Sequence, residues 1–287
     1  MFRVVVTGST GLLGGWLVAE LERSGAEVIA RGGPSRGERG LDLTDAAAVQ
    51  DLVTDARPDV VIHTAALSAI GDCAQDPARA RQVNVDATSN VALACERTGA
   101  RLIHTSTDLV FDGEDAPYRE DASPAPVSIY GRTKHEAESV ALSTPRSVVV
   151  RLSLLFGPTR TERRGFFDQQ LDALRARSPI RLFEDEWRTP LSLRAAAEGL
   201  VAIARSDLQG LVHLGGPERW SRHEMGVLLA QALGIEQPMI ERTSRSSAPG
   251  EPRPRDVALD SSAFHRAFPR LATDSFVAEC TRMRAAP

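Results

Sequence analysis

The sequence predicts an α/β protein, a doubly wound parallel sheet followed by a smaller C-terminal α/β lobe. Short β-branched runs alternate with amphipathic stretches through the first half, and a glycine-rich turn joins the first run to the first amphipathic stretch. After Gly157-Pro158 the alternation loosens. Continuous apolar strands separated by helices imply a parallel sheet covered on both faces. A chain of 287 residues, 42% hydrophobic and 25% charged, is ordinary for a globular protein. It is long enough for one large domain or for a larger and a smaller lobe sharing a cleft.

Arg3–Thr7 is the expected first strand, and a helix opens at Leu12. Further strands are expected at residues 27–30, 60–63, 101–104 and 148–151, with helical patterns beginning near Asp45, Pro77 and Ser128. A helix over 165–176, a strand over 180–183, a helix over 192–204 and a strand over 211–214 follow. Ser221-Arg222-His223-Glu224 has the spacing of a capping box and starts a helix that ends near Gly234. Residues 244–254, rich in Ser, Pro and Arg, read as a loop. On this reading residues 1–155 form the sheet-bearing domain, with 190–212 returning to it, and 156–189 and 213–287 form the small lobe.

Composition narrows the function. The net charge is −4 and the arginines are scattered among acids, which argues against a nucleic-acid surface. The N-terminus runs into a strand with neither a basic region nor a long apolar stretch, so neither a signal peptide nor a membrane span is expected. Cys73, Cys95 and Cys280 are far apart and in no metal spacing, which fits free thiols and a cytoplasmic protein without a metal. The six histidines show no metal spacing either, and His63 and His104, inside strands, read as satisfied core residues. The expected partners are a small-molecule substrate and, for assembly, a second copy in a homodimer.

The turn Thr7-Gly8-Ser9-Thr10-Gly11-Leu12-Leu13-Gly14 ends the first strand and opens a helix. Its glycines permit a tight turn and close backbone approach, so the helix N-terminus can hold a pyrophosphate. This makes the domain a Rossmann-type dinucleotide-binding one; a glycine-rich turn without a ligand is the alternative. The second strand ends Ala30-Arg31-Gly32-Gly33, with no acid for a ribose 2′-hydroxyl. Arg31, helped by Ser35 or Arg36, could face a 2′-phosphate instead, which favours NADP over NAD; a solvated arginine is the competing reading. Asp42 in Leu41-Asp42-Leu43, after another short strand, is placed to accept from an adenine amino group. Its alternative is a helix N-terminal acid, although Thr44 suits the capping role.

Of 34 Lys+Arg residues only Lys134 is lysine, and it lies four residues after one of two tyrosines, in Tyr130-Gly131-Arg132-Thr133-Lys134. A compact ammonium differs physically from a guanidinium fork, and at i,i+4 on a helix it shares a face with the phenol. There it would lower the phenol pKa, the arrangement proton transfer needs. Upstream, Thr105-Ser106-Thr107-Asp108 sits at the C-terminal end of the fourth strand, the edge where open parallel sheets bind ligands. A hydroxyl there can bond a substrate carbonyl while Tyr130 donates a proton. A core-packed tyrosine and an edge-of-strand turn are the alternatives.

With these motifs the sequence resembles an extended short-chain dehydrogenase/reductase, and from Leu41 to Lys134 it resembles the dTDP-4-dehydrorhamnose reductase family more closely. Leu41-Asp42-Leu43-Thr44-Asp45, Arg57-Pro58-Asp59-Val60-Val61, Asn84-Val85-Asp86-Ala87, Val110-Phe111-Asp112-Gly113 and Pro117-Tyr118-Arg119-Glu120-Asp121 carry the likeness. It continues more weakly through Arg151-Leu152-Ser153, Arg188-Thr189-Pro190 and Arg253-Pro254-Arg255 to Leu259-Asp260. The resemblance implies reduction of a 4-keto group on a nucleotide-linked sugar by NADPH or NADH. Thr107 would bind the C4 oxygen, Tyr130 would donate the proton, and Lys134 would support the phenol and the cofactor ribose, with Asp108 beside the site. Ala65 and Ala66, Leu43, Asn84, Thr105 and Ser153 would join the glycine-rich turn around the cofactor. Trp187 and Arg188 fall where the lobes meet and suit a base and a phosphate, or a lobe-interface anchor; Arg253 and Arg255 suit a diphosphate or a solvated loop. Leu109 and Leu154 depart from the reductase pattern, which carries a tyrosine and often an aromatic there. The same family includes the NADP-binding regulatory beta subunit of methionine adenosyltransferase, and an epimerase on the same scaffold is a third alternative.

Overall fold

In the computed structural model, which describes residues 1–35, 37, 40–271 and 273–285, a six-stranded sheet organises the larger part of the chain around it. Its strands are β1 (Arg3–Thr7), β2 (Glu27–Arg31), β3 (Val60–His63), β4 (Arg101–Thr107), β5 (Val148–Leu152) and a last strand, Gly210–Leu214. The spatial order is β2, β1, β3, β4, β5, Gly210–Leu214, and every pairing is parallel. Strand alternation explains the two layers of core. Val4, Val6, Ile62 and Ile103 pack to one side with Leu17, Leu21 and Leu200, and Val5, Val61, Leu102 and Val149 pack to the other with Val49, Val53 and Val91.

Most predicted elements are present within a residue or two. Helix α1 spans Leu12–Arg23 and α2 spans Ala46–Ala56, and later helices span Phe166–Arg175, Leu193–Ala204 and Arg222–Leu233. The capping box of the last is real: Ser221 Oγ accepts from the Glu224 amide at 3.1 Å and Glu224 accepts from the Ser221 amide at 2.7 Å. Three readings need correction. Among the described residues no strand precedes Asp42, where a Gly32–Gly40 bridge meets the sheet, and Asp42 closes a turn by accepting from the Thr44 amide and hydroxyl at 2.9 and 2.7 Å. The cap of α2 is Asp45, not Thr44, accepting from the Ala47 and Ala48 amides. The helix from Pro77 is interrupted by a π-helical stretch, Gln82–Asp86, before it resumes over Ala87–Thr98.

Beyond β5, Phe156, Phe167, Leu174, Met225, Leu229 and Phe276 form a separate apolar cluster under the helices Phe166–Arg175, Arg222–Leu233 and Phe276–Ala285. Two of the motifs noted in the sequence lie against each other. Tyr118 pairs with the segment around Leu259, its amide donating to the Ala258 carbonyl at 2.8 Å and its carbonyl accepting from the Asp260 amide at 2.7 Å. Its ring stacks on Phe111 at 4.0 Å, and its hydroxyl donates to Asp112 while accepting from the Gly113 and Glu114 amides. These contacts therefore tie the segment around Leu259 to the loop that follows β4.

The sheet is locked to the helix Ile129–Leu142 by a buried ion pair. Arg151 of β5 meets Glu138 in two 2.8 Å bonds, and Ser106 of β4 donates to the same carboxylate at 2.5 Å. Both charged side chains are 3% exposed. Burial alone would raise the Glu138 pKa, but the Arg151 guanidinium and the Ser106 hydroxyl outweigh it and hold the carboxyl below the ordinary range. A depressed folded-state pKa stabilises the fold above the unfolded value, and that contribution is lost as pH falls through the folded one. Glu138→Gln should therefore destabilise the protein by about 3–5 kcal/mol at neutral pH, since it strands a buried guanidinium. Thermal melts of the two proteins at a series of pH values should converge in acid; a constant gap would contradict the ion-pair account.

Candidate functional site

The site lies where the sheet reverses direction. The chain leaves β1 toward β2 on one side and returns to β3 on the other, which opens a crevice at the carboxyl ends of β1 and β3. Gly8, at φ 75°, brings the turn within reach of the segment after β3: a Cβ there would stand 2.6 Å from the Ala65 nitrogen. A Cβ on Gly14 would stand 2.2 Å from the Gly8 carbonyl oxygen, so the first turn of α1 packs directly on the loop. The N-cap of α1 is Gly11, without a side-chain cap and without an acid in the first turn. Its amides are thus left for an external acceptor, and the positive end of the helix faces the crevice.

A single cavity of about 810 Å³ runs from this turn to the ends of β4 and β5. Gly8, Thr10, Gly11, Leu12, Leu13 and Gly14 line it at one end, with Asp42, Leu43, Ala65 and Ala66, and Thr105, Thr107, Asp108, Tyr130, Lys134, Ser153 and Arg188 line the other. The predicted set is brought together with four exceptions. Ser9 is buried behind the turn and Asn84 is 1% exposed, and neither belongs to the lining. Asn84 instead clamps the loop after Ala66, accepting from the Leu67 amide at 2.8 Å and donating to its carbonyl at 3.1 Å. The π-helical turn that carries it sets this amide, which also donates to Thr133 on the Tyr130 helix at 3.0 Å. Arg31 donates to the carbonyl of its neighbour Ala30, and Trp187 takes the Arg219 guanidinium against its ring at 4.8 Å; neither side chain lines the cavity. Ser35 is exposed and Arg36 falls outside the described residues.

Ser128 caps the helix that carries Tyr130 and Lys134, accepting from the Gly131 amide at 3.1 Å. Gly131 lets that helix touch the end of β4, since a Cβ there would sit 2.2 Å from the Leu109 carbonyl oxygen. This contact puts the phenol beside Thr107. The expected effect of Lys134 on that phenol differs from the geometry. Burial, and then the nearby Asp108 carboxylate, push the Tyr130 pKa above its ordinary value, although Thr107 hydrogen-bonds the phenol. The Lys134 ammonium is engaged elsewhere, at 3.0 Å from His104 Nε2. Burial lowers the pKa of Lys134 to about 8 against the opposing pull of Glu138.

Asp108 is the hinge of a second polar cluster. It accepts from Thr107 at 3.2 Å and Ser153 at 3.1 Å and faces Arg188 Nε at 3.5 Å, and burial nonetheless raises its pKa. Arg188 in turn meets Glu186 at 3.3 Å, and Arg253 meets the same carboxylate at 3.3 Å. Arg222 lies 4.0 Å from Glu186, stacks on Phe166 at 3.8 Å, and has an Nη1 with no partner among the described residues. Burial lowers its pKa to about 10. Three arginines thus face two carboxylates along one wall, and Arg163, which donates to Ser68 at 3.1 Å, lines the same cavity. Of these, Glu186, Arg163 and Arg222 were not singled out in the sequence; Arg222 directly follows a helix cap, a position that aims a cation at a cleft only once the fold is known. Leu109 and Leu154, the two departures from the reductase pattern, both line the cavity, whereas Arg255 is exposed and does not.

Among the described residues no cluster of His, Cys, Asp and Glu could hold a metal ion, and no helix is long and apolar enough to cross a membrane.

The chain is 34% identical over 298 residues to a dTDP-4-dehydrorhamnose reductase of Streptomyces griseus, covering 98% of this chain and 95% of that protein. It is 30% identical over 271 residues to methionine adenosyltransferase 2 subunit beta of Pongo abelii, covering 91% of this chain and 80% of that one. Its fold matches that of a dTDP-4-dehydrorhamnose reductase from Bacillus anthracis, solved in complex with NADP, with a TM-score of 0.90 at 24% identity over 99% of both chains. Residues 2–281 match the family model described as RmlD substrate binding domain, and the chain belongs to that family.

Proposed function

We propose that the protein is an NAD(P)H-dependent reductase of a keto group on a nucleotide sugar, of the extended short-chain dehydrogenase/reductase type. The observation that carries this reading is the convergence of Thr107, Tyr130 and Lys134 at one end of a cavity whose other end is the glycine-rich turn. The residues present fit a nicotinamide dinucleotide. The uncapped N-terminus of α1 and the close-packed glycines would hold its pyrophosphate, Ala65 and Ala66 would flank it, and Lys134 would bond the ribose hydroxyls. Reduced nicotinamide supplies a hydride to the carbonyl carbon.

The side chains supply the rest. Thr107 orients the carbonyl oxygen by turning its one hydroxyl hydrogen to it from Asp108, and Tyr130 gives its phenolic proton to the alkoxide as it forms. A phenol whose pKa is raised keeps its proton through neutral pH, as a donor must. The cost is a phenolate left in a buried place, and the Lys134 ammonium four residues on is the charge able to offset it. Ser153 donates to Asp108 and so fixes the carboxylate from which Thr107 turns. The arginine wall, with the unpartnered Arg222 nitrogen, suits a diphosphate between sugar and base. On this reading residues 1–155, with 190–212, are the cofactor domain and 156–189 and 213–287 the substrate lobe. Leu109 and Leu154 give the sugar an apolar contact.

The cofactor preferred is NADPH, because no acid stands at the end of β2 to accept a ribose 2′-hydroxyl. The likeness to methionine adenosyltransferase 2 subunit beta favours a second reading, in which the protein binds the cofactor as a subunit of another enzyme without turnover.

Oxidation of NADPH by the purified protein, followed across a panel of 4-keto sugar nucleotides, tests the reductase reading. At least one should be reduced, and Tyr130→Phe should lower kcat by about 10²–10⁴-fold while leaving NADPH binding in place. Tight NADPH binding with no oxidation of any of them, and co-purification of a partner enzyme, would favour the subunit. For cofactor choice, Arg31 would have to leave the Ala30 carbonyl to meet a 2′-phosphate; if it does so, Arg31→Ala should weaken NADPH more than NADH, and equal losses would show that Arg31 does not read the 2′-phosphate.

A further inference from the structure

The helix Ile129–Leu142 lies over β4 with two side-chain pairs in step. Lys134 meets His104 at 3.0 Å and Glu138 meets Ser106 at 2.5 Å. Positions i and i+2 on a strand are roughly 6.6 Å apart, and positions i and i+4 on a helix are roughly 6 Å apart, so the second pair holds the first in register. His104 is fully buried. Burial and the neighbouring Lys134 keep its imidazole neutral, well below its ordinary pKa. A neutral imidazole has one acceptor nitrogen, and an ammonium can only donate, so Nε2 accepts and the ring hydrogen resides on Nδ1. That Nδ1 has no partner among the described residues. Burying an N–H without a partner is costly, and the bond to Lys134 is the one interaction that accounts for the ring's orientation.

We propose that His104 is a positioning residue for Lys134: its Nε2 accepts one hydrogen of the ammonium and leaves the other two for the cavity. This rests on the reading of Lys134 as the residue that bonds the cofactor ribose and supports Tyr130. It gives a function to a histidine that the sequence pattern alone assigns to the core. The groups facing Lys134 are few. Glu138 and Tyr130 share its helix, His104 faces it from β4, and His63 of β3 stands behind His104 with ring centroids 5.2 Å apart. Glu138 is itself occupied by Arg151. His63 is neutral, its pKa lowered by burial and by Lys134 to about 3, and it is engaged with Thr7 at 2.7 Å and Thr88 at 3.1 Å. His104 is therefore the acceptor that sets the direction of the ammonium.

Lys134 is the only lysine in the chain, which makes the test direct. Protein labelled with ¹³C at lysine Cε gives one lysine signal, and its pH titration reports Lys134 alone, without substrate or cofactor. The wild-type midpoint should lie near 8. In His104→Leu, which removes the acceptor, the midpoint should fall by a pH unit or more, a tenfold or larger change in the acid constant. In His104→Gln, whose amide oxygen reaches the place of Nε2, it should stay near the wild-type value. Should the leucine variant not fold, His104→Asn, too short to reach the ammonium, must show the same fall. An unchanged midpoint in His104→Leu or His104→Asn, or an equal fall in His104→Gln, would overturn the proposal. Each outcome is read in the absence of turnover, so it stands apart from whether the protein reduces a sugar nucleotide. As a second readout, NADPH affinity should decline with rising pH through the measured midpoint, and earlier in His104→Leu. Loss of the pH dependence only in His104→Gln would contradict it.

Discussion

The burial of one ammonium group against the inner face of a parallel sheet is the constraint on which the rest of the site depends. Lys134 is 2% exposed. A buried ammonium needs hydrogen-bond acceptors and compensating charge, or it sheds its proton. Here β4 supplies the acceptor, His104, and the helix itself supplies the charge, Glu138, which is shared with Arg151. That arrangement requires the helix to lie close along β4, which Gly131 permits at the Leu109 carbonyl. The same approach brings Tyr130 beside Thr107. One electrostatic requirement thus aligns the groups that the proposed chemistry uses.

Much of the fold could be read from the sequence because local and global signals agree. Val4, Val5 and Val6 serve a sheet covered on both faces, and the Ser221–Glu224 capping box predicts a helix start that the structure keeps. Disagreements arise where side chains compete for backbone groups. Asp42 and Asp45 both seek free amides near the start of α2; Asp45 takes the helix and Asp42 takes the Thr44 turn. The π-helical turn at Asn84 has no periodic signature, since it is an insertion into an otherwise ordinary helix; only the demand of the Leu67 loop for both ends of an amide reveals it.

The cavity shows the same division. The end at the glycine-rich turn is local in sequence, a strand, a turn and a helix in succession, and that succession was legible. The opposite end is assembled from Arg163, the neighbouring Glu186 and Arg188, Arg222 and Arg253, from four separate places in the chain, and in a protein with one lysine an arginine carries little signal by itself. What distinguishes these arginines is the sharing of Glu186 and the stacking of Arg222 on Phe166, both tertiary facts. Trp187 illustrates the converse. An aromatic beside an arginine suits a base in sequence, yet its ring is covered by Arg219 while Arg188 turns inward to Asp108.

The role of Tyr130 also changes between sequence and structure. The i,i+4 spacing suggests a phenol acidified by its lysine, whereas the folded site gives a phenol kept protonated by burial and an ammonium held to one side by His104. A proton donor suits a reductase, in which carbonyl oxygen gains a proton as carbon gains a hydride. The measurement that tests this most directly is a single turnover with NADPH carrying deuterium at the transferable C4 position and a 4-keto sugar nucleotide. The account predicts one deuterium on the carbinol carbon of the product and one equivalent of oxidised cofactor released into solution. Recovery of the substrate without deuterium, or product formed while the cofactor remains bound and unchanged in redox state, would contradict it.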